Sequence, residues 1–162
     1  MIDIILYAPN KATLLTFAEN HPPINPLASR NADNELVIRQ GVDYCWWAGS
    51  GKFMTQVGTY DAEGNEITPP TYLPGVVALM RIYGSFFESN ILVPDSEDPD
   101  KDEQWARSKI AKYIKDNGTP GTMGGIPYYE IDSVRLFRPT DVEEFLANNN
   151  IPGHIWVGGN QY

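Results

Sequence analysis

Apolar and polar side chains alternate over many short stretches of this chain and adopt helical spacing over only three, a division that predicts strands outnumbering helices. Residues 2–7 are rich in β-branched and aromatic types and stop at Pro9-Asn10, so they read as a first strand. Asn10 has the chemistry of an N-cap for a helix over residues 11–20, with Leu14, Leu15, Phe17 and Ala18 on its buried side. The segment 21–26 carries three prolines and cannot extend that helix, because proline lacks the amide donor and restricts the residue before it.

From 35 to 84 the pattern is strand-like, at 35–40, 43–48, 52–60, 66–68 and 76–83. Gly49-Ser50-Gly51 and Asp61-Ala62-Glu63-Gly64-Asn65 supply turn residues between them, and together they predict an antiparallel meander. Val76-Val77-Ala78-Leu79-Met80 is apolar on both alternating faces, as expected of a strand in the middle of a sheet.

The strongest helical signal follows. Asp98 as N-cap and Pro99 at the first helical position open it, Ala106, Ile110, Tyr113 and Ile114 line one side, and Asn117-Gly118 close it. The glycine-rich stretch 118–125 reads as flexible. Beyond it, Tyr129 and Ile131 are out of phase by one residue with Val134 and Leu136, which predicts a bulge or turn at Asp132-Ser133. Thr140-Asp141-Val142-Glu143 matches a capping box for a last helix with Val142, Phe145 and Leu146 inward. A final strand is expected over 154–157, and the aromatic residue after Gly158-Gly159 suggests that the tail docks rather than frays. The sum is one α+β domain spanning 1–162: a mostly antiparallel sheet centred on a 35–84 meander, with about three helices mainly on one face.

Composition fits this picture and narrows the partners. A chain of 162 residues with 42% hydrophobic and 12% aromatic residues can bury a continuous core without disulfides or a structural metal. Its formal charge of -9 repels phosphate backbones, which sets nucleic acid aside. Arg107, Lys109, Lys112 and Lys115 sit late in a helix that begins acidic, where they complement its dipole. No apolar run approaches the roughly 20 residues that a spanning helix needs. Cys45 has no partner thiol, which suits a reducing, cytoplasmic setting, and residues 1–9 lack the basic and apolar regions of a secretory leader.

Candidate chemistry is sparse. Gly49-Ser50-Gly51-Lys52 lacks the earlier glycine and the following Ser or Thr of a phosphate loop, with Trp46 and Phe53 at those positions. Asp98, Asp100 and Asp102 alternate as calcium ligands do, but Glu103 and Lys109 occupy the positions that need glycine and a bidentate glutamate. His21 and His154 stand in no two-ligand motif, so neither a metal nor another cofactor is expected. Cys45, between Tyr44 and Trp46, reads as a packed thiol. Glu130 and Asp132 alternate on one strand, so they form the one carboxylate pair that could serve as acid and base.

Aromatic side chains are the surplus. On residues 43–48, Tyr44 and Trp46 point one way and Cys45 and Trp47 the other, which leaves at least one large ring for a partner unless both faces are covered. Trp46, Trp47, His154 and Trp156 are accordingly the expected binding residues. The reading that follows is an interaction or assembly component rather than an enzyme, of the kind found as bacterial or phage accessory proteins, acting on a protein partner or on itself. The alternative is a small-ligand or carbohydrate binder or hydrolase that uses exposed rings and the Glu130/Asp132 pair.

Overall fold

The computed structural model describes residues 2–21, 26–46, 54–83, 99–151 and 160–161. The first strand, β1 (Ile2–Ala8), is buried on both faces and runs through the middle of the main sheet. It pairs antiparallel with β9 (Val76–Ile82) on one side and β12 (Val134–Phe137) on the other. Outward from β9 comes β4 (Val42–Trp46); outward from β12 come β11 (Ile126–Ile131) and β10 (Thr119–Met123). Near its start, β1 also takes β13 (Asn160–Gln161) as a parallel neighbour, with Ile2 opposite Asn160 and Asp3 opposite Gln161. These two tail residues therefore do dock on their own domain.

Alternation along β1 divides the interior into two cores. Ile2, Ile4, Leu6 and Ala8 face Leu14, Phe17 and Ala18 of α1 (Lys11–Asn20) and Ile114 of α2 (Pro99–Asn117). The small antiparallel pair β2 (Ala28–Arg30) and β3 (Leu36–Ile38) closes the same side through Leu27, Ala28, Leu36 and Ile38. Ile5 and Tyr7 face Val142 and Leu146 of α3 (Pro139–Asn148) on the other side. Of the three helices among the described residues, two thus share one face and the third takes the opposite one. A sheet with helices on both sides needs strands apolar throughout, and β1 and β9 supply them.

Local chemistry explains most of the boundaries. Asn10 caps α1 as expected, its Oδ1 accepting from the Thr13 amide at 2.9 Å, while Leu15 is only half-buried. At the end of α2 the Gly118 amide bonds to the Ile114 carbonyl, and a β-carbon on Gly118 would come within 2.6 Å of that oxygen, so the position requires glycine. Ile110 and Tyr113 line the inner side of this helix beside Ile114, which docks it on the sheet. The Asp98 cap, the Gly49-Ser50-Gly51 turn and the strand expected at 154–157 lie outside the described residues.

Several expectations need correction. The segment 118–125 is not flexible: it forms β10 and a tight turn at Gly124-Gly125, where φ is +59° and +89°. Its Pro120 is tolerated because β10 is an edge strand, and Gly121 leaves room for the Tyr128 ring, 2.5 Å from where a β-carbon would stand. Helix α3 starts earlier than the capping box implies, with Pro139 in its first turn and Arg138 as a cap residue whose side chain bonds to Asp141 and makes no capping bond. The 35–84 segment is antiparallel, but β3 pairs outside it with β2, and the later strands nest within one long hairpin instead of lying side by side. Inside the β4–β9 pair, β5 (Met54–Gln56) pairs with β8 (Thr71–Tyr72), and β6 (Thr59–Tyr60) with β7 (Glu66–Thr68). Consequently β9 is an inner strand, while the middle of the sheet belongs to β1 and β12. Among the described residues no helix is long and apolar enough to cross a membrane.

Among the described residues, one charged side chain of the inner strands is fully buried. Asp3 has no solvent exposure, and its two oxygens accept from Arg81 Nε at 2.7 Å and Nη2 at 2.8 Å on the facing strand. That bond raises the Arg81 pKa despite desolvation, so the guanidinium keeps its charge inside the sheet. Asp3→Ala is expected to cost about 3–5 kcal/mol in urea unfolding, since it strips a mostly buried guanidinium of its bidentate partner. Asp3→Leu combined with Arg81→Met should recover much of that loss; if the pair loses as much as the single variant, charge pairing is not what matters here.

Candidate functional site

Glu130 and Asp132, the one carboxylate pair suggested by the sequence, are not brought together. Glu130 lies on β11 opposite Arg135 and accepts from its Nε at 3.2 Å. Asp132 lies in the two-residue turn between β11 and β12, where it and Ser133 have φ of +48° and +65°, the positive values that a type I′ turn demands at both central positions. That backbone swings the Asp132 carboxylate to the α1 and α2 side, where it accepts from His21 Nε2 at 2.7 Å. The two acids therefore serve different sides of the sheet, and they share neither a proton nor a substrate position.

Around Glu130, the Arg135 guanidinium lies over the Tyr128 ring at 4.8 Å and the Tyr7 ring at 5.5 Å, and its Nη1 reaches Met123 Sδ at 3.3 Å. The cation is held by two rings and a carboxylate from its own chain. Beside it a small hollow is lined by Ile5, Val77, Ile126, Phe137 and Val142 among others; its apolar wall gives a ligand no group that would orient it.

His21 is the centre of the other arrangement. It ends α1, stacks on Phe17 with ring centroids 4.6 Å apart, and is only 11% exposed, whereas Asp132 is 67% exposed. With Nε2–H donated to Asp132, Nδ1 accepts from the Tyr113 hydroxyl at 2.7 Å. Hydroxyl, imidazole and carboxylate in that order are the parts of an activated nucleophile. Here burial, and then the Asp132 charge, push the Tyr113 phenol above its ordinary value, the opposite of what activation requires. The trio instead fastens three elements, the end of α1, the inner side of α2 and the β11–β12 turn. Among the described residues no group of three His, Cys, Asp or Glu side chains is placed to hold a metal.

The expected binding residues fall differently. Trp46 is the last residue of the edge strand β4, opposite Ala78, and Trp47, His154 and Trp156 lie outside the described residues. The exposed apolar surface that the structure does show was not anticipated from the sequence. It belongs to the nested hairpins: Tyr60 is 57% exposed, Ile67 67% and Tyr72 46%. Met54, Val57 and Leu73 root this ribbon against the α3-side core, but every residue of β6 and β7 is exposed. Its tip is fixed by polar bonds. Asp61 Oδ1 accepts from the Glu63 and Asn65 amides at 3.0 and 2.8 Å, Asp61 Oδ2 accepts from the Asn65 side chain, and Gly64 takes φ of +87°. The Asn65 side chain, then the backbone amides, hold the Asp61 carboxyl below its usual range. The sequence signal was present in the threonines, tyrosine and isoleucine of 59–68, but alternation alone does not say which face goes uncovered.

Protein-family models, curated proteins and solved structures give no match to this chain.

The clasp around His21 generates two expectations. His21→Ala and Tyr113→Phe should each destabilise by about 1–3 kcal/mol, and the double variant should lose less than the sum, because both remove one shared bond; strict additivity in chemical denaturation would contradict the clasp. The second concerns alkaline pH. A phenol with a raised pKa binds its proton more tightly folded than unfolded, so its contribution is complete below the unfolded value of about 10 and is lost as pH rises through the folded one. Tyr113→Phe should therefore flatten the fall in stability above about pH 10; an unchanged slope would assign that fall to other tyrosines.

Proposed function

We propose that this chain is a protein-interaction component whose contact element is the β5–β8 and β6–β7 ribbon. The observation that carries the reading is the exposure of Tyr60, Ile67 and Tyr72 on a two-stranded element. A lone two-stranded ribbon is marginal in water, and large apolar side chains add nothing to its stability while they face solvent. Turn bonds and bulges keep this ribbon in shape, and in sequence it lies between β4 and β9. Presenting rings and an aliphatic side chain on a preformed strand pair lowers the ordering cost of association. The sequence runs from Trp46 and Trp47 straight into the ribbon, and the same contact is proposed to take them in; His154 and Trp156 are proposed contacts on sequence grounds alone. The alternative of a hydrolase built on Glu130 and Asp132 gains no support from carboxylates on opposite sides of the sheet.

Sedimentation in extracts of cells that naturally produce the chain tests this reading. The wild type should travel in a particle well above 18.1 kDa, and Tyr60→Ser with Ile67→Ser should travel as the free chain with an unchanged melting temperature. Free-chain sedimentation of both proteins would refute it.

A further inference from the structure

The ribbon also carries a charge pattern that selects among partners. Between Met54 and Gly75 the sequence holds Asp61, Glu63 and Glu66 and no Lys or Arg. Asp61 spends its oxygens on the turn, whereas Glu63 and Glu66 are exposed at the tip beside the exposed Tyr60 and Ile67. Glu66 is the cross-strand partner of Tyr60, so an acid and a ring are offered together. Resting on the reading that the ribbon is a contact element, we propose that its partner is a different protein, one with a groove of apolar floor and a rim of lysine or arginine.

Charge and shape both point away from a second copy. The chain carries a formal charge of -9, so two copies repel at long range, and a ribbon meeting its own kind would set Glu63 and Glu66 against like charges. Among the described residues, Lys112 of α2 is already paired with Asp116, and Val37, a large exposed apolar side chain away from the ribbon, belongs to β3. A basic rim would instead speed encounter and fix orientation, while Tyr60 and Ile67 fill the floor and set the lifetime of the complex. An anionic membrane or a nucleic acid would be repelled by the same two carboxylates.

A photoreactive phenylalanine analogue in place of Ile67, irradiated in the cells that naturally make the chain, captures whatever touches the tip. The expected product is an adduct with one other protein, cross-linked within a segment of net positive charge. Rebuilt from the two purified full-length proteins, the complex should weaken by about tenfold or more between about 50 and 300 mM salt, and by a similar factor in E63K/E66K, whose melting temperature stays that of the wild type. An adduct between two copies of the chain, or binding indifferent to salt and to E63K/E66K, overturns the basic partner and leaves the ribbon as a contact element. Adducts only with lipid or nucleic acid overturn the basic protein partner and also the protein-interaction reading. Absence of any adduct removes the contact element itself, and this inference with it.

Discussion

Burial of β1 on both faces is the constraint from which the rest of this structure follows. Seven residues starting at Ile2 separate two hydrophobic cores, and only Tyr7 among them is partly open. A strand in that position must satisfy its amides and carbonyls through neighbouring strands, and β9, β12 and β13 surround it for that purpose. It must also be apolar in both directions, yet its second residue is Asp3. The acid is tolerated because Arg81 stands in register across the β1–β9 pair and meets it with two bonds. A one-residue slip of either strand would leave both charges buried without partners, so the pair penalises the wrong register far more than it rewards the right one.

The same logic separates what fastens the fold from what is left for contact. His21, Tyr113 and Asp132 form an ordered polar chain, and so do Glu130, Arg135 and the rings of Tyr7 and Tyr128. Each has residue types that a reaction could use. In each the groups are satisfied by one another and join elements distant in sequence, and the Tyr113 phenol is shifted away from reactivity. The ribbon is the reverse case: it ties no distant elements together beyond its root, and it exposes apolar side chains that the cores do not use.

How much of this was legible depended on whether the signal was local. The N-cap at Asn10, the run of α2 with its glycine stop and the turn at Asp132-Ser133 are short-range chemistry and were read where they occur. The turn at Asp61 to Asn65 was read too, while its near twin at Asn31 was missed. There Asn31 Oδ1 accepts from the Asp33 and Glu35 amides, and Asn34 takes the positive φ that Gly64 takes in the other turn. Glycine announces such a turn more loudly than asparagine, although both adopt it. Strand β10 was hidden because Pro120 and Gly121 are poor strand formers; its existence depends on an edge position and on the Tyr128 ring lying over the glycine, both facts of tertiary structure. The carboxylates 130 and 132 alternate in sequence as if on one strand, but two positive-φ residues end that strand between them and its successor and send Asp132 elsewhere.

The location of the proposed contact follows from the division of labour between β4–β9 and the strands nested inside it. Where the hairpin crosses the main sheet, its residues face two cores, and substitutions there open cavities or expose apolar surface. Beyond Leu73 and Val57 the same two strands leave both cores, and Gly58 meets the Thr68 carbonyl and Pro70 so closely that a side chain there would have to displace backbone. Outside that tight, bulged crossing every residue from 62 to 69 is exposed. Residues 62–69 can then change with little effect on the fold, and the domain can change inside without altering the tip. A contact surface placed there is insulated from stability, whereas one placed at Tyr113 or Arg135 would be tied to it. That is the physical reason for locating recognition at the ribbon and not at the polar clusters, chemically richer though they are.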